Sequence, residues 1–143
     1  MSDLYDDDIL LWSERQAALL RRMAAGERVN DRDLDWPNIS EEIEAVGRSE
    51  LRACEALLMQ AIVHRLKQAC WPQSSEVPHW REEEIRFRQE AADAFSPSMR
   101  QRIDMVRIYR RASQRLPAMI DGIPALPVAD AGPPMLDEML AED

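Results

Sequence analysis

Apolar side chains recur every three to four residues along most of this chain, and the recurrence predicts four helices and a tail. The first predicted helix runs from Asp6 to Ala25. At 100° per residue, Tyr5, Ile9, Trp12, Leu19, Leu20 and Met23 share one face, and Asp7, Asp8, Glu14, Arg15, Arg21 and Arg22 occupy the other. Acid leads and base follows, as the helix dipole prefers. Gly26 supplies a left-handed stop.

A polar connector, residues 27–34, leads to a second start signal. Asp35 can cap a helix with Trp36 or Pro37 in its first turn. From there to Cys70 there is no Pro and one Gly, Gly47, so the pattern predicts one helix of ~35 residues, about 50 Å long. Its first half is amphipathic, with Ile39, Ile43, Val46, Ala53 and Cys54 on one face and Glu41, Arg48, Arg52 and Glu55 on the other. Its second half, Leu57 to Val63, is apolar nearly all round, which predicts a segment enclosed by other helices. Trp71-Pro72 ends it.

After a turn at residues 73–78, a third helix is expected from His79 to Ala94, with Trp80, Phe87, Ala91 and Phe95 on one side. Ser96-Pro97 reads as the start of a fourth, running to Leu116 with Met99, Ile103, Val106 and Ala112 inward. Beyond it Pro124, Pro127, Pro133 and Pro134 predict an extended strap. A short helix, Met135 to Ala141, should dock Met135, Leu136, Met139 and Leu140 onto the bundle or a neighbour. The expected fold is therefore an all-α helix bundle of about four helices with one long central helix. Residues 1–116 form the bundle domain, and residues 117–143 the Pro-rich strap and docking helix.

Composition agrees. The chain has 143 residues, 45% apolar, and only 4 Gly, with Ala, Leu, Glu, Arg, Met and Gln abundant. Cys54 and Cys70 fall in one predicted helix, about 24 Å apart, too far for a disulfide. Two free thiols, no signal-peptide pattern and no apolar run long enough to span a bilayer point to a soluble cytoplasmic protein. The net charge of −9 weighs against a general phosphate-binding surface. The charge is uneven, however. Residues 1–50 hold 13 Asp/Glu and 6 Lys/Arg, whereas residues 81–116 hold 9 Arg and 6 Asp/Glu.

Sites in helix bundles are built from polar side chains that project inward. Polar residues on the apolar stripes are Glu50, His64 and Gln68 on the long helix, and Glu84 and Arg88 on the third. One reading of Glu50, Glu84 and Arg88 is an ion-pair network that fixes helix register. The other joins them with His64 as a metal-free pocket for a small molecule or an enzymatic reaction. For His64 itself the alternatives are a core histidine bonded to a carbonyl, or a ligand or base.

No metal or cofactor is expected. The Glu-x-x-His spacing of di-metal bundles is missing, and Glu44 and His64 lie about 30 Å apart along a continuous helix. No Ser or Cys sits in a nucleophile context, and no Gly-rich phosphate loop exists. On the fourth helix Arg100, Arg107, Arg111 and Arg115, with Arg110 adjacent, form one face. Guanidinium forks suit carboxylates and phosphates alike. No aromatic residue interleaves with them to stack a base, so a solvated face or an interface with an acidic partner is preferred over nucleic-acid binding.

Several uncommon motifs then occur in order. They are Leu4-Tyr5-Asp6 with Asp8, Leu34-Asp35-Trp36-Pro37-Asn38-Ile39, Glu41-Glu42-Ile43-Glu44 and Gly47-Arg48-Ser49-Glu50. His64 with Leu66-Lys67, Trp80, and Ser96-Pro97-Ser98 with Arg100 follow. Over roughly residues 3–116 the chain resembles the bacterial family called domain of unknown function 29. The resemblance implies a small, soluble, all-α bacterial protein and carries no activity. The sequence thus favours a protein-interaction or adaptor module without catalysis. A protein partner or a homodimer is compatible with the opposite charges of the two halves.

Overall fold

The computed structural model describes residues 3–127 and 132–141. Six α-helices follow one another: α1 Leu4–Asp7, α2 Ile9–Ala24, α3 Trp36–Cys70, α4 Val77–Ala94, α5 Met105–Gln114 and α6 Leu136–Leu140. Short 3-10 turns occupy Asp31–Asp33 and Pro97–Gln101, and a two-residue hairpin pairs β1 Met119–Ile120 with β2 Ile123–Pro124. The architecture is all-α apart from this hairpin. The long helix has the expected length of 35 residues. Among the described residues, no helix is long and apolar enough to cross a membrane. The chain divides into two compact units, Met1–Arg48 and Ser49–Asp143.

The first unit is built around Trp12, Leu34 and Ile39, with Tyr5, Leu19 and Leu20 packed against them. Tyr5 meets Trp12 edge to face at 4.9 Å. The single first helix expected from Asp6 is instead two. Asp8 leaves the helix and its Oδ1 accepts the Leu11 N–H at 3.0 Å, so a run of aspartates makes a cap rather than a helical turn. Gly26 takes the left-handed conformation as expected, at φ 84°. The apolar face read on the first half of α3 is not buried along its length: Ile43 and Val46 are 68% and 65% exposed. Ile9 and Met23 of the α2 face are exposed as well. Within this unit the buried part of the stripe ends at Ile39, packed with Trp12, and among the described residues no element buries Ile43 or Val46.

The second unit has the larger core. Cys54, Leu58, Ala61, Ile62, Val63 and Leu66 of α3 meet Ala91 of α4, Met99 of the Pro97–Gln101 turn, Ile108 and Ala112 of α5, and Met139 of α6. The Leu57–Val63 segment is enclosed, as its all-round apolarity predicted. Full burial of a side chain such as Leu58, Ile62 or Met139 contributes roughly 1.5–3 kcal/mol. A satellite cluster of Cys70, Trp71 and Trp80 closes the end of α3. There Trp71 Nε1 donates to the Ile123 carbonyl at 2.8 Å and the Leu126 N–H to the Cys70 carbonyl at 3.0 Å, which seats the hairpin.

Three expectations change in this unit. The fourth helix is broken, because Asp104 leaves helical geometry and its Oδ1 caps α5 at the Arg107 N–H. The break resets the helical phase, so Ile108 turns inward and Val106, expected inside, is 55% exposed. The strap contains a hairpin, because Asp121 and Gly122 both adopt positive φ, 52° and 77°, the geometry of a two-residue turn. The terminal helix docks on the bundle as expected through Met139, but Met135 stays 73% exposed.

Candidate functional site

Among the described residues, Glu84 is the buried charged residue of the second unit. Its Oε1 accepts from Arg65 Nε at 2.6 Å and its Oε2 from Gln68 Nε2 at 3.4 Å. Arg65 also donates to Glu138 of α6 at 3.0 Å. Burial works to discharge the Arg65 guanidinium, but the bonds to Glu84 and Glu138 outweigh it and hold its pKa above the ordinary arginine value. Both carboxylate oxygens of Glu84 are thus engaged, one by a firmly charged partner.

Arg88, one turn further along α4, donates from Nε to the Met139 carbonyl at 3.1 Å. Its terminal nitrogen donates to the carbonyls of Glu138 and Ala141, each at 3.0 Å. Those carbonyls lie at the C-terminal end of α6, where a helix leaves acceptors unsatisfied and favours a cation. Arg100 adds an ion pair to Asp137. The cluster therefore clamps α6 onto the bundle, with Met139 fully buried beneath it.

The four residues singled out by sequence are placed differently from one another. Arg88 bonds the docked helix directly, and Glu84 is linked to it through Arg65. His64 is half-buried, its ring 5.4 Å from that of Phe87. Its Nδ1 lies 2.7 Å from the Gln60 carbonyl, and a carbonyl only accepts, so this nitrogen carries the proton. Glu50 is exposed and stands apart from the network. The partner that sequence reading missed is Arg65. Its signal was its position, a cation just after the all-round apolar run and three residues before Gln68.

Beside the clamp lies a cleft of about 380 Å³, lined by Ile62, Arg65, Leu66, Tyr109, Pro134 and Glu138 among others. Its two charged groups already pair with each other. Among the described residues no group of three or more His, Cys, Asp or Glu side chains could hold a metal ion. The Cys54 thiol donates to the Ala91 carbonyl at 3.5 Å. Burial, with a contribution from Glu55, pushes its pKa up, and burial does the same at Cys70. Both are protonated thiols rather than nucleophiles at neutral pH.

The arginines of the predicted fourth helix also separate. Arg100 and Arg107 are committed within the chain, to Asp137 and to Glu55 at 2.9 Å. Arg110, Arg111 and Arg115 are exposed, as is Arg102 ahead of the break at Asp104, and among the described residues none of these four forms an ion pair. Val106, on the same helix as Arg110 and Arg111, is exposed as well.

In the first unit the Asp35-Trp36-Pro37-Asn38 motif is a structural node. Asp35 Oδ2 accepts from the Trp12 indole at 3.0 Å and from Asn38 Nδ2 at 2.8 Å, and its N–H donates to Gln16 at 2.9 Å. The Asn38 side-chain bond, reinforced by Trp12 and the Asn38 backbone against the cost of burial, lowers the Asp35 pKa. Tyr5 donates to Glu42, and that bond first, then burial, pushes its phenol up to about 12. Arg48 pairs with Glu41 at 2.6 Å and with Glu44 at 3.7 Å.

Comparison with known proteins agrees with this picture. A crystal structure of an alpha-helical protein of unknown function from Rhodospirillum rubrum is 33% identical, with a TM-score of 0.69. That similarity covers 100% of this chain and 92% of the other. No curated protein shows significant similarity. The family model described as Domain of unknown function DUF29 matches residues 4–142, well past the limit at Leu116 suggested by the motifs alone. Matched over nearly its whole length, the chain belongs to the DUF29 family.

Proposed function

We propose that the protein is a protein-interaction module of the bacterial cytoplasm, and that the outer face of α5 receives an acidic protein surface. One observation carries this reading. Arg102, Arg110, Arg111 and Arg115 are exposed without an ion pair among the described residues, and Val106 on α5 is 55% exposed. An exposed apolar side chain on an element that carries unpaired cations suits a docking face, in which the apolar contact supplies affinity and the charges select the partner. The inward polar groups, by contrast, are occupied in holding α6. Two buried thiols suit a reducing compartment.

A photo-crosslinking amino acid at position 106, activated in the native host, tests the reading. The expected result is a discrete protein adduct that disappears when Arg110 and Arg111 are both changed to Glu. Absence of any adduct, or an adduct indifferent to that charge reversal, would refute it.

A further inference from the structure

Resting on that reading of the α5 face, we infer that the acidic partner is a second copy of this chain. The Asp6–Leu10 turn of each molecule docks on the α5 arginine face of the other. At this turn Ile9 and Leu10 are 51% and 68% exposed. They follow Asp6 and Asp7, which are exposed and form no ion pair among the described residues. Asp8 is occupied in capping Leu11 and holds the turn in shape. The α5 segment has the inverse make-up, an exposed Val106 with the exposed Arg110 one turn further on and Arg111 next to it. Each patch leaves apolar carbon and one sign of charge without a counterpart, and each is what the other lacks.

The distribution of charge along the chain points the same way. Residues 1–50 carry 13 Asp/Glu against 6 Lys/Arg, while residues 81–116 carry 9 Arg against 6 Asp/Glu. A nucleic acid attracted to the arginines would meet repulsion from a chain of net charge −9. A second copy presents the acidic unit itself. Because every molecule owns both patches, a reciprocal exchange forms the same contact twice and closes a two-fold dimer, whereas a single head-to-tail contact would grow open chains.

Light scattering on the intact protein, from low micromolar to several hundred micromolar, reads the outcome. The expected mass is twice 16.5 kDa, with dissociation at least about tenfold easier in high salt than in low salt. The variant with Arg110→Glu and Arg111→Glu, and the variant with Asp6→Arg and Asp7→Arg, should each be monomeric. Mixed together they should form a heterodimer, because one contact is then native and the other has both signs reversed. Circular dichroism confirms that each variant is folded, and Leu10→Ser, an uncharged change at an exposed position, should weaken the dimer independently. A wild-type monomer at every concentration overturns the inference, as does a dimer that both reversals leave intact. So does a wild-type monomer whose α5 face binds a labelled DNA duplex. A wild-type monomer that still gives protein adducts from position 106 removes self-association alone, while a monomer with no adducts removes the interaction reading as well.

Discussion

Arg65 on α3 and Glu84 on α4 meet at 2.6 Å, and the same guanidinium reaches Glu138 on α6 at 3.0 Å. One cation thus ties three helices together at the edge of the core. Glu84 has 12% side-chain exposure, so removing it strands a partly buried charge. Glu84→Ala should cost about 2–3 kcal/mol in denaturant unfolding, toward the low end for a broken buried pair because Arg65 is partly solvated. Arg65→Met combined with Glu84→Leu should recover much of that loss. A Glu84→Ala variant within about 0.5 kcal/mol of wild type would show the pair to be incidental.

Asp35 gives the first unit an acid sensitivity. Its carboxyl is held below the ordinary aspartate range, first by the Asn38 side chain and then, against the cost of burial, by Trp12. A lowered folded pKa contributes stability that is present above the unfolded value and fades as pH falls through the folded one. The indole N–H resonance of Trp12 should therefore stay put through mild acid, and shift only below the ordinary carboxylate range. Asp35→Asn should abolish that late shift. A resonance that titrates at the unperturbed aspartate position would contradict the node.

Gly47 sits inside α3, and a Cβ placed there would meet nothing within 4 Å. Glycine in a helix interior costs roughly 0.5–1 kcal/mol relative to alanine, and here nothing in the chain's own packing offsets it. Gly47→Ala should raise the unfolding free energy by about that amount in a denaturant titration. A loss of stability would mean that a close approach at this position matters.

Cys54 and Cys70 are 0% and 1% exposed, with thiol pKa values raised by burial. Ellman's reagent should find neither in the native protein and both after denaturation. Fast reaction of either thiol in the folded state would contradict the packing of the α3–α4 contact.

Much of this fold is legible from residue pattern because the strongest signals are local. The absence of Pro between Asn38 and Cys70, and the Asp35 cap, suffice for α3. The run from Leu57 to Val63 suffices for the enclosed core. What the pattern hides depends on which neighbours exist. Ile43 and Val46 continue the stripe of Ile39, but periodicity cannot say where the covering elements stop. The break at Asp104 rotates Val106 outward, and a stripe drawn through an assumed continuous helix places it inside. The hairpin was written in Asp121-Gly122, flanked by Met119-Ile120 and Ile123-Pro124, and two-residue strands are too short for alternation to reveal. For the polar cluster, Glu84 and Arg88 stood out as intrusions on an apolar face. Arg65 did not, because a cation at the margin of a helix looks like a solvated one until its partner arrives from a distant part of the chain.

The central claim separates inner charges that hold the fold from outer charges that meet a partner, and arginine footprinting with phenylglyoxal read by mass spectrometry tests it most directly. Arg110 and Arg111 should be modified readily in dilute purified protein and protected inside the cell, while Arg65 should be protected in both. Equal modification of Arg110 and Arg111 in the two settings would contradict the account.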